Sequence, residues 1–476
     1  MDDFYRPASC PDCLPQGLVA DIYHSLSISP AILATLLFGP ILIFLTARLL
    51  LIGDTPDPKE EKEQTSWMVP FQPVPWRVLE CFFGVPRRSE EKYKEISEEL
   101  KACNRFILDE PHMTLLLNNA TQNLERNIPQ MISFINTSID LQPWEQHAQA
   151  HFISSSEAEL NLQSLIRDMT GYALVPAVFG HALLEKYPAI LHDLHIMDTG
   201  SSYLLKNLPP WIPWPGVVQA HMARFKALQC LDEHQKAVDG MIMGMGTDAS
   251  WGDLEDVSEL IMKRNIVFRE HGLELKERAD ITILYSLSTL PSLIIFWHIL
   301  YILNTPNLLS RIRTELNPYA KITKPFSIGA ISEAPKLVLA SQGLAENCPL
   351  LRSTYLETIR IVDQGVVMSS SLGGIEGSKE EIKFPETFDP ERFRKAPVAS
   401  SSSAGNTKYA SIHKSQLFIE RGCLAVVAAI LAFWDFEPIE KGSGWKIPDK
   451  QWMRGIALPA NDLRIRVRRR KFDWAD

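Results

Sequence analysis

Hydrophobic positions along this chain gather into two long, almost uncharged runs within an otherwise mixed pattern. From Ile28 to Ile52 the sequence ISPAILATLLFGPILIFLTARLLLI carries no charge until Arg48, which is long enough for a bilayer-spanning helix. The second run, Ile281 to Leu303, holds no acidic or basic side chain other than His298. It is interrupted by the polar series Ser286, Ser288, Thr289 and Ser292, has Pro291 at its middle, and stops at Asn304-Thr305-Pro306. That mixture predicts a long helix through a large soluble core rather than a second membrane span. Ser258 to His271 and Pro306 to Leu316 also read as helices, and short strand-like pieces occur near Ile375 to Phe384 and at the C-terminus. There Leu463, Ile465 and Val467 alternate with Arg464, Arg466 and Arg468, the period of a half-exposed strand. Ala399 to Ala404 is a serine run that reads as a flexible loop. The pattern predicts a mainly α protein with small β-sheets, preceded by one N-terminal transmembrane helix.

Charge orients the first run. Met1 to Ser27 carries Asp2, Asp3, Asp12 and Asp21 against Arg6, whereas Arg48, Lys59 and Lys62 lie beyond the apolar segment. This is unlike a cleavable signal peptide, and the positive-inside bias predicts a signal anchor with its N-terminus in the lumen of the endoplasmic reticulum. Asp54 to Ser66, DTPDPKEEKEQTS, has little to bury and reads as a linker. The expected organisation is 1–27 lumenal, 28–52 anchor, 53–66 linker, and 67–476 a single domain facing the cytosol.

With 476 residues, 46% of them hydrophobic, the chain can bury an enzyme-sized core. A formal net charge of -9 argues against nucleic acid as a partner, because phosphate binding requires clustered Lys and Arg. The seven cysteines form no evident disulfide framework. Cys10 and Cys13 make one CxxC pair, but no matching second pair of ligands follows to complete a zinc site.

Chemistry-bearing residues cluster toward the C-terminus. In CPLLRSTYLETIRI, Cys348 to Ile361, Glu357 and Arg360 stand at i and i+3 on one helical face, and Arg392 in FDPERF, Phe388 to Phe393, offers a second guanidinium for the same carboxylate. These ExxR and PERF elements, with an anchor and a long helix before them, resemble those of microsomal cytochromes P450, most closely the secondary-metabolism branch of filamentous fungi. The resemblance runs from about residue 65 to 475 and implies a cytochrome P450-like fold in which Glu357, Arg360 and Arg392 form a structural cluster.

The departures from that family are as informative. Aligning SQLFIERGCLAVVAAILAFWDFEP, Ser415 to Pro438, with the helix that follows the family's haem-binding loop places His413 where the family has its iron-ligating cysteine. The preceding loop has Asn406 in place of a Phe, and Thr407 and Tyr409 in place of glycines. Cys423 lies well inside the apolar helix, where a thiol is expected to behave as a small buried hydrophobe. The interval between Arg360 and Pro390 is short for the family, and Leu287 to Pro291 keeps a threonine and a proline without the neighbouring acid that relays protons.

The first expectation is therefore an enzyme that uses no haem and no metal. It would fold a lipophilic terpenoid or polyketide substrate for a non-oxidative cyclisation or pericyclic step of the Diels-Alderase type. Tyr285, Ser288, Thr289 and Ser292 are the candidate pocket residues, with Tyr285, Ser288 and Ser292 close to one helical face. The alternatives are a haem-thiolate monooxygenase served by a reductase, whose gene model has lost the ligand segment, and a catalytically silent, membrane-tethered partner of other pathway enzymes.

Overall fold

Helices dominate because apolar residues recur at helical spacing through most of the chain. We describe the protein from a computed structural model. It covers residues 71–472 apart from 72, 136, 138, 246–248, 325–326, 329–330, 333–334, 364–386, 397–409, 441, 443 and 454–455, together with 39 and 42. The chain divides into a small unit, 1–56 with 211–213, and a large unit, 57–210 with 214–476. The anchor at 28–52 therefore lies outside the described residues but for Gly39 and Leu42, both helical. The linker, the CxxC pair, the strand expected at Ile375 to Phe384 and the serine run lie outside them as well.

In the large unit the principal helices are α1 Trp76–Cys81, α2 Glu90–Cys103, α3 His112–Asn127, α4 Leu162–Phe179, α5 Ile190–Thr199, α6 Pro215–Ile242, α7 Glu259–Glu270, α8 Ile281–Asn304, α9 Leu308–Leu316, α10 Pro349–Val362 and α11 Ala410–Phe433. Helices α7, α8 and α9 fall where the periodicity puts them, within two residues at each end. The central helix α8 packs against α4, α10 and α11. Both α8 and the stretch Lys414–Phe433 are long and apolar enough to cross a membrane, yet 94% of each apolar window is buried within the protein, as in core helices.

Two of these helices are capped from distant sequence. Asp462 accepts the backbone N–H groups of Gln163 at 2.7 Å and Ser164 at 3.0 Å at the start of α4. Glu315 accepts those of Leu350 and Leu351, both at 2.9 Å, at the start of α10. Each carboxylate satisfies donors that a helix leaves open at its N-terminus and complements the dipole there.

The main sheet is antiparallel. Strands β1 His151–Ser154, β2 Glu157–Asn161, β3 Trp434–Pro438 and β4 Arg464–Arg469 lie in the order β1-β2-β4-β3. Ile465 and Val467 face the core fully buried, while Arg466 reaches Glu159 at 3.0 Å and Arg468 reaches Glu437 at 2.8 Å across the strands. The basic C-terminal stretch is thus a strand, with Arg466 and Arg468 on cross-strand acids and Arg464 on the Gln149 and Glu159 carbonyls. Three short two-stranded ladders complete the β structure of the described residues.

Candidate functional site

Glu357 on α10 is fully buried and holds the charged cluster together. Arg360 meets it with a fork, Nε to Oε2 at 2.8 Å and Nη2 to Oε1 at 2.9 Å. Arg392 brings its Nε to 3.1 Å from both carboxylate oxygens, and the Asp389 backbone N–H donates to Oε1 at 3.0 Å. Arg360 also donates to the Thr387 carbonyl, and the Phe393 N–H donates to Ser353 Oγ. Phe388 stacks on Tyr301 of α8, with ring centroids 4.8 Å apart. The FDPERF turn is thereby strapped to α10 and α8, and the cluster is structural because its carboxylate oxygens are taken up by protein donors.

The expected ligand position belongs to a helix. His413 lies in the first turn of α11, so the helix begins earlier than the loop expected there, while 397–409 lie outside the described residues. Cys423 is fully buried with its Sγ 3.9 Å from the Pro291 carbonyl oxygen, and burial pushes its thiol far above the usual range. Burial also raises Cys81 and Cys103, and pushes Cys230 and Cys348 up to about 12. An iron-ligating cysteine must be a thiolate. Burial opposes that form at each of these five cysteines.

The central-helix hydroxyls are differently placed. Tyr285 is buried, edge-on to Phe82 at 5.3 Å and Phe83 at 5.6 Å, and its hydroxyl donates to Asp198 of α5. Ser288 and Ser292 turn their hydroxyls back on their own helix, to Leu284 O at 3.0 Å and Thr289 O at 2.8 Å. Ser288, Thr289 and Ser292 do line one cavity, shared with Gln163, Arg167, His195 and Asp198, but its volume of about 20 Å³ is room for roughly one water. Arg167 donates from Nε to Asp168 at 2.8 Å, and Asp168 also meets His147 Nδ1 at 2.7 Å. Burial pushes His195 down to about 4. Arg167, His195 and Asp198 were invisible as site residues because no spacing links α4 and α5 to α8. The adjacent Arg-Asp pair at 167–168, in a helix that buries both, is the one sequence signal of a charged centre there.

A larger space opens on the other side of α8. Trp76 and Leu79 of α1, Tyr93 and Leu100 of α2, Phe71, Pro73 and Val74 before them, and Thr282, Ile283 and Ser286 of α8 surround a cleft of about 380 Å³. That volume suits a small lipophilic molecule. Phe71 closes one end with a left-handed backbone, φ 64°, and an edge-on contact with Phe418 at 5.9 Å. A β-carbon-bearing residue occupies that region at a cost, so the Phe71 ring is held where the chain alone would not put it. The central helix thus presents Thr282, Ile283 and Ser286 to the roomy cleft, and Ser288, Thr289 and Ser292 to the water-sized cavity.

No protein-family model matches this sequence. Over 313 residues the chain is 24% identical to the cytochrome P450 monooxygenase poxD of Penicillium oxalicum. The alignment covers 59% of this chain and 58% of that relative's length. The chain thus spans a little over half the length of this distant relative, and its own fold is mainly helical with small sheets.

Proposed function

We propose that this chain is a cytochrome P450-like enzyme of fungal secondary metabolism that works without a haem thiolate and closes a ring in a lipophilic terpenoid or polyketide substrate. The observation that carries the reading is Cys423, fully buried with its thiol against the Pro291 carbonyl; His413, which the sequence alignment puts at the family's ligand position, lies in the first turn of the same helix. The reaction is non-oxidative. In a Diels-Alder closure three π bonds become two σ bonds and one π bond, so no electron, proton or leaving group enters or departs. A cleft that holds the reactive conformer and one hydrogen bond to an electron-poor substrate oxygen supply what such a step needs. The cleft beside α1 and α2 has the volume for this, and the apolar run 28–52 tethers the protein to the endoplasmic reticulum membrane with the domain on the cytosolic side.

The test is the haem content of the purified, detergent-solubilised full chain, expressed with haem precursor, and its reduced, CO-bound spectrum. A folded sample with no haem is the expected result. Stoichiometric haem with a thiolate-type band overturns the proposal.

The similarity to a monooxygenase favours a second reading, in which the gene model has lost or misread an exon around Ser371 to His413 that encodes the ligand segment. Sequencing the transcript separates the two: a recovered glycine-rich segment with a cysteine would replace the first reading with the second.

A further inference from the structure

We infer that the cleft bounded by α1, α2 and α8 selects uncharged lipophilic molecules that carry one hydrogen-bond acceptor, such as a ketone, ester or ether oxygen, with the Trp76 indole N–H as its donor. This rests on the reading that the cleft takes the substrate.

The argument is one of hydrogen-bond accounting. Most polar side chains on the cleft walls are already committed. Tyr93 donates to the Glu277 carbonyl at 2.8 Å, Asn104 to the Phe71 carbonyl at 2.9 Å, Thr282 to Ala279 at 2.7 Å and Ser286 to Ile283 at 3.0 Å. Arg264 donates to Asp280 at 2.7 Å and lies over the Phe268 ring. At the rim, Lys94 pairs with Glu90 and Glu91, and Lys101 with Glu98. A charged guest would have to break one of those pairs to be neutralised, and a partly desolvated charge without a partner is costly.

Trp76 and Ser97 are the exceptions, and of the two only the Trp76 nitrogen is sealed from water. The Trp76 Nε1 is buried and makes no hydrogen bond among the described residues, while its ring packs tilted on Tyr93 with centroids 5.8 Å apart. A sealed, unpaired indole donor is rare because it forfeits its bond to water, and a buried Trp normally finds a partner. A guest that shifts the ring edge and brings an oxygen to Nε1 restores the missing bond. A pure hydrocarbon fills the same volume and leaves the N–H unpaired. Ser97 exchanges a bond to water for one to a guest, whereas the Trp76 donor gains a bond it otherwise lacks, so Trp76 favours the same acceptor oxygen whose polarisation assists ring closure.

The experiment compares 2-nonanone with nonane, a pair matched in length, titrated calorimetrically into the full chain in detergent with a protein-free micelle control. Wild type is expected to bind the ketone about tenfold more tightly, the effect of one regained hydrogen bond to a buried donor. In Trp76→Phe the preference should collapse while nonane affinity stays within about twofold. Ketone binding should also shift the hydrogen-bond-sensitive indole Raman band of wild type, a readout independent of the variant's folding. Equal binding of both probes to wild type, with no shift of that band, overturns the donor role and leaves the cleft reading intact. Binding of neither probe overturns the cleft reading and the inference together.

Discussion

Arg392 reaches Glu357 across 35 residues of sequence, its Nε 3.1 Å from each carboxylate oxygen, and so converts a local i, i+3 pair into a tertiary clamp. The carboxylate has no solvent exposure and the Arg360 and Arg392 side chains have 9% and 16%. Removing this anion would take its charge away from two largely buried cations. Glu357→Gln is expected to cost about 3–5 kcal/mol, seen as a lowered urea midpoint with unchanged slope. A midpoint equal to wild type would mean that the cluster contributes nothing to the fold.

Cys423 makes a second, chemical prediction. With its thiol held protonated by burial, it should resist iodoacetamide at pH 8 in the native protein and react once urea unfolds the chain. Mass spectrometry of digested samples locates the label. Rapid native alkylation at Cys423 would show an accessible thiolate and reopen it as a ligand.

Acid should destabilise the fold through buried histidines. His298 on α8 is fully buried, with Nε2 2.8 Å from Thr354 Oγ1, and Thr354 itself donates to the Leu351 carbonyl. His298 is therefore the donor through Nε2, and burial pushes its pKa down to about 3. His234 is pushed down to about 4 in the same way. The unfolded chain binds these protons near the ordinary histidine pKa of about 6.5. The unfolded state thus holds more protons below that pH, and stability present above about 6.5 is lost progressively as pH falls toward 3–4. Urea midpoints measured from pH 7.5 to 4.5 should decline, and His298→Leu should make the decline shallower. A flat profile in wild type would contradict the neutral, buried assignment.

Gly200 sits where α5 approaches α6. A β-carbon added there would lie 2.4 Å from Ala220 Cβ and 3.3 Å from the Ile196 carbonyl oxygen. Neither atom is the end of a flexible side chain, so the helices would have to part. Gly200→Ala is expected to destabilise by about 1–3 kcal/mol, whereas Gly444→Ala, with nothing within 4 Å of its β-carbon, serves as a neutral control in the same thermal melts.

The pattern of apolar and polar residues by itself determined the course of α7, α8 and α9, the buried alternation of Ile465 and Val467, and the common face of Glu357 and Arg360. These depend on spacing along one element, which the sequence states directly. It also determined that Cys423 would be buried, since the run that follows it, Leu424 to Phe433, is apolar throughout. Only the tertiary structure decided which hydroxyls of α8 meet open space, because helical phase says that Ser288 and Ser292 share a side but not how close α4 and α5 come to it. The same holds for Asp462 capping α4 from 299 residues away, for Tyr285 donating to Asp198 across 87, and for an indole nitrogen at Trp76 left without a partner. A hydrogen bond between distant segments, or the lack of one, exists only after the chain has closed on itself, since it depends on the distance between groups whose separation no local periodicity sets.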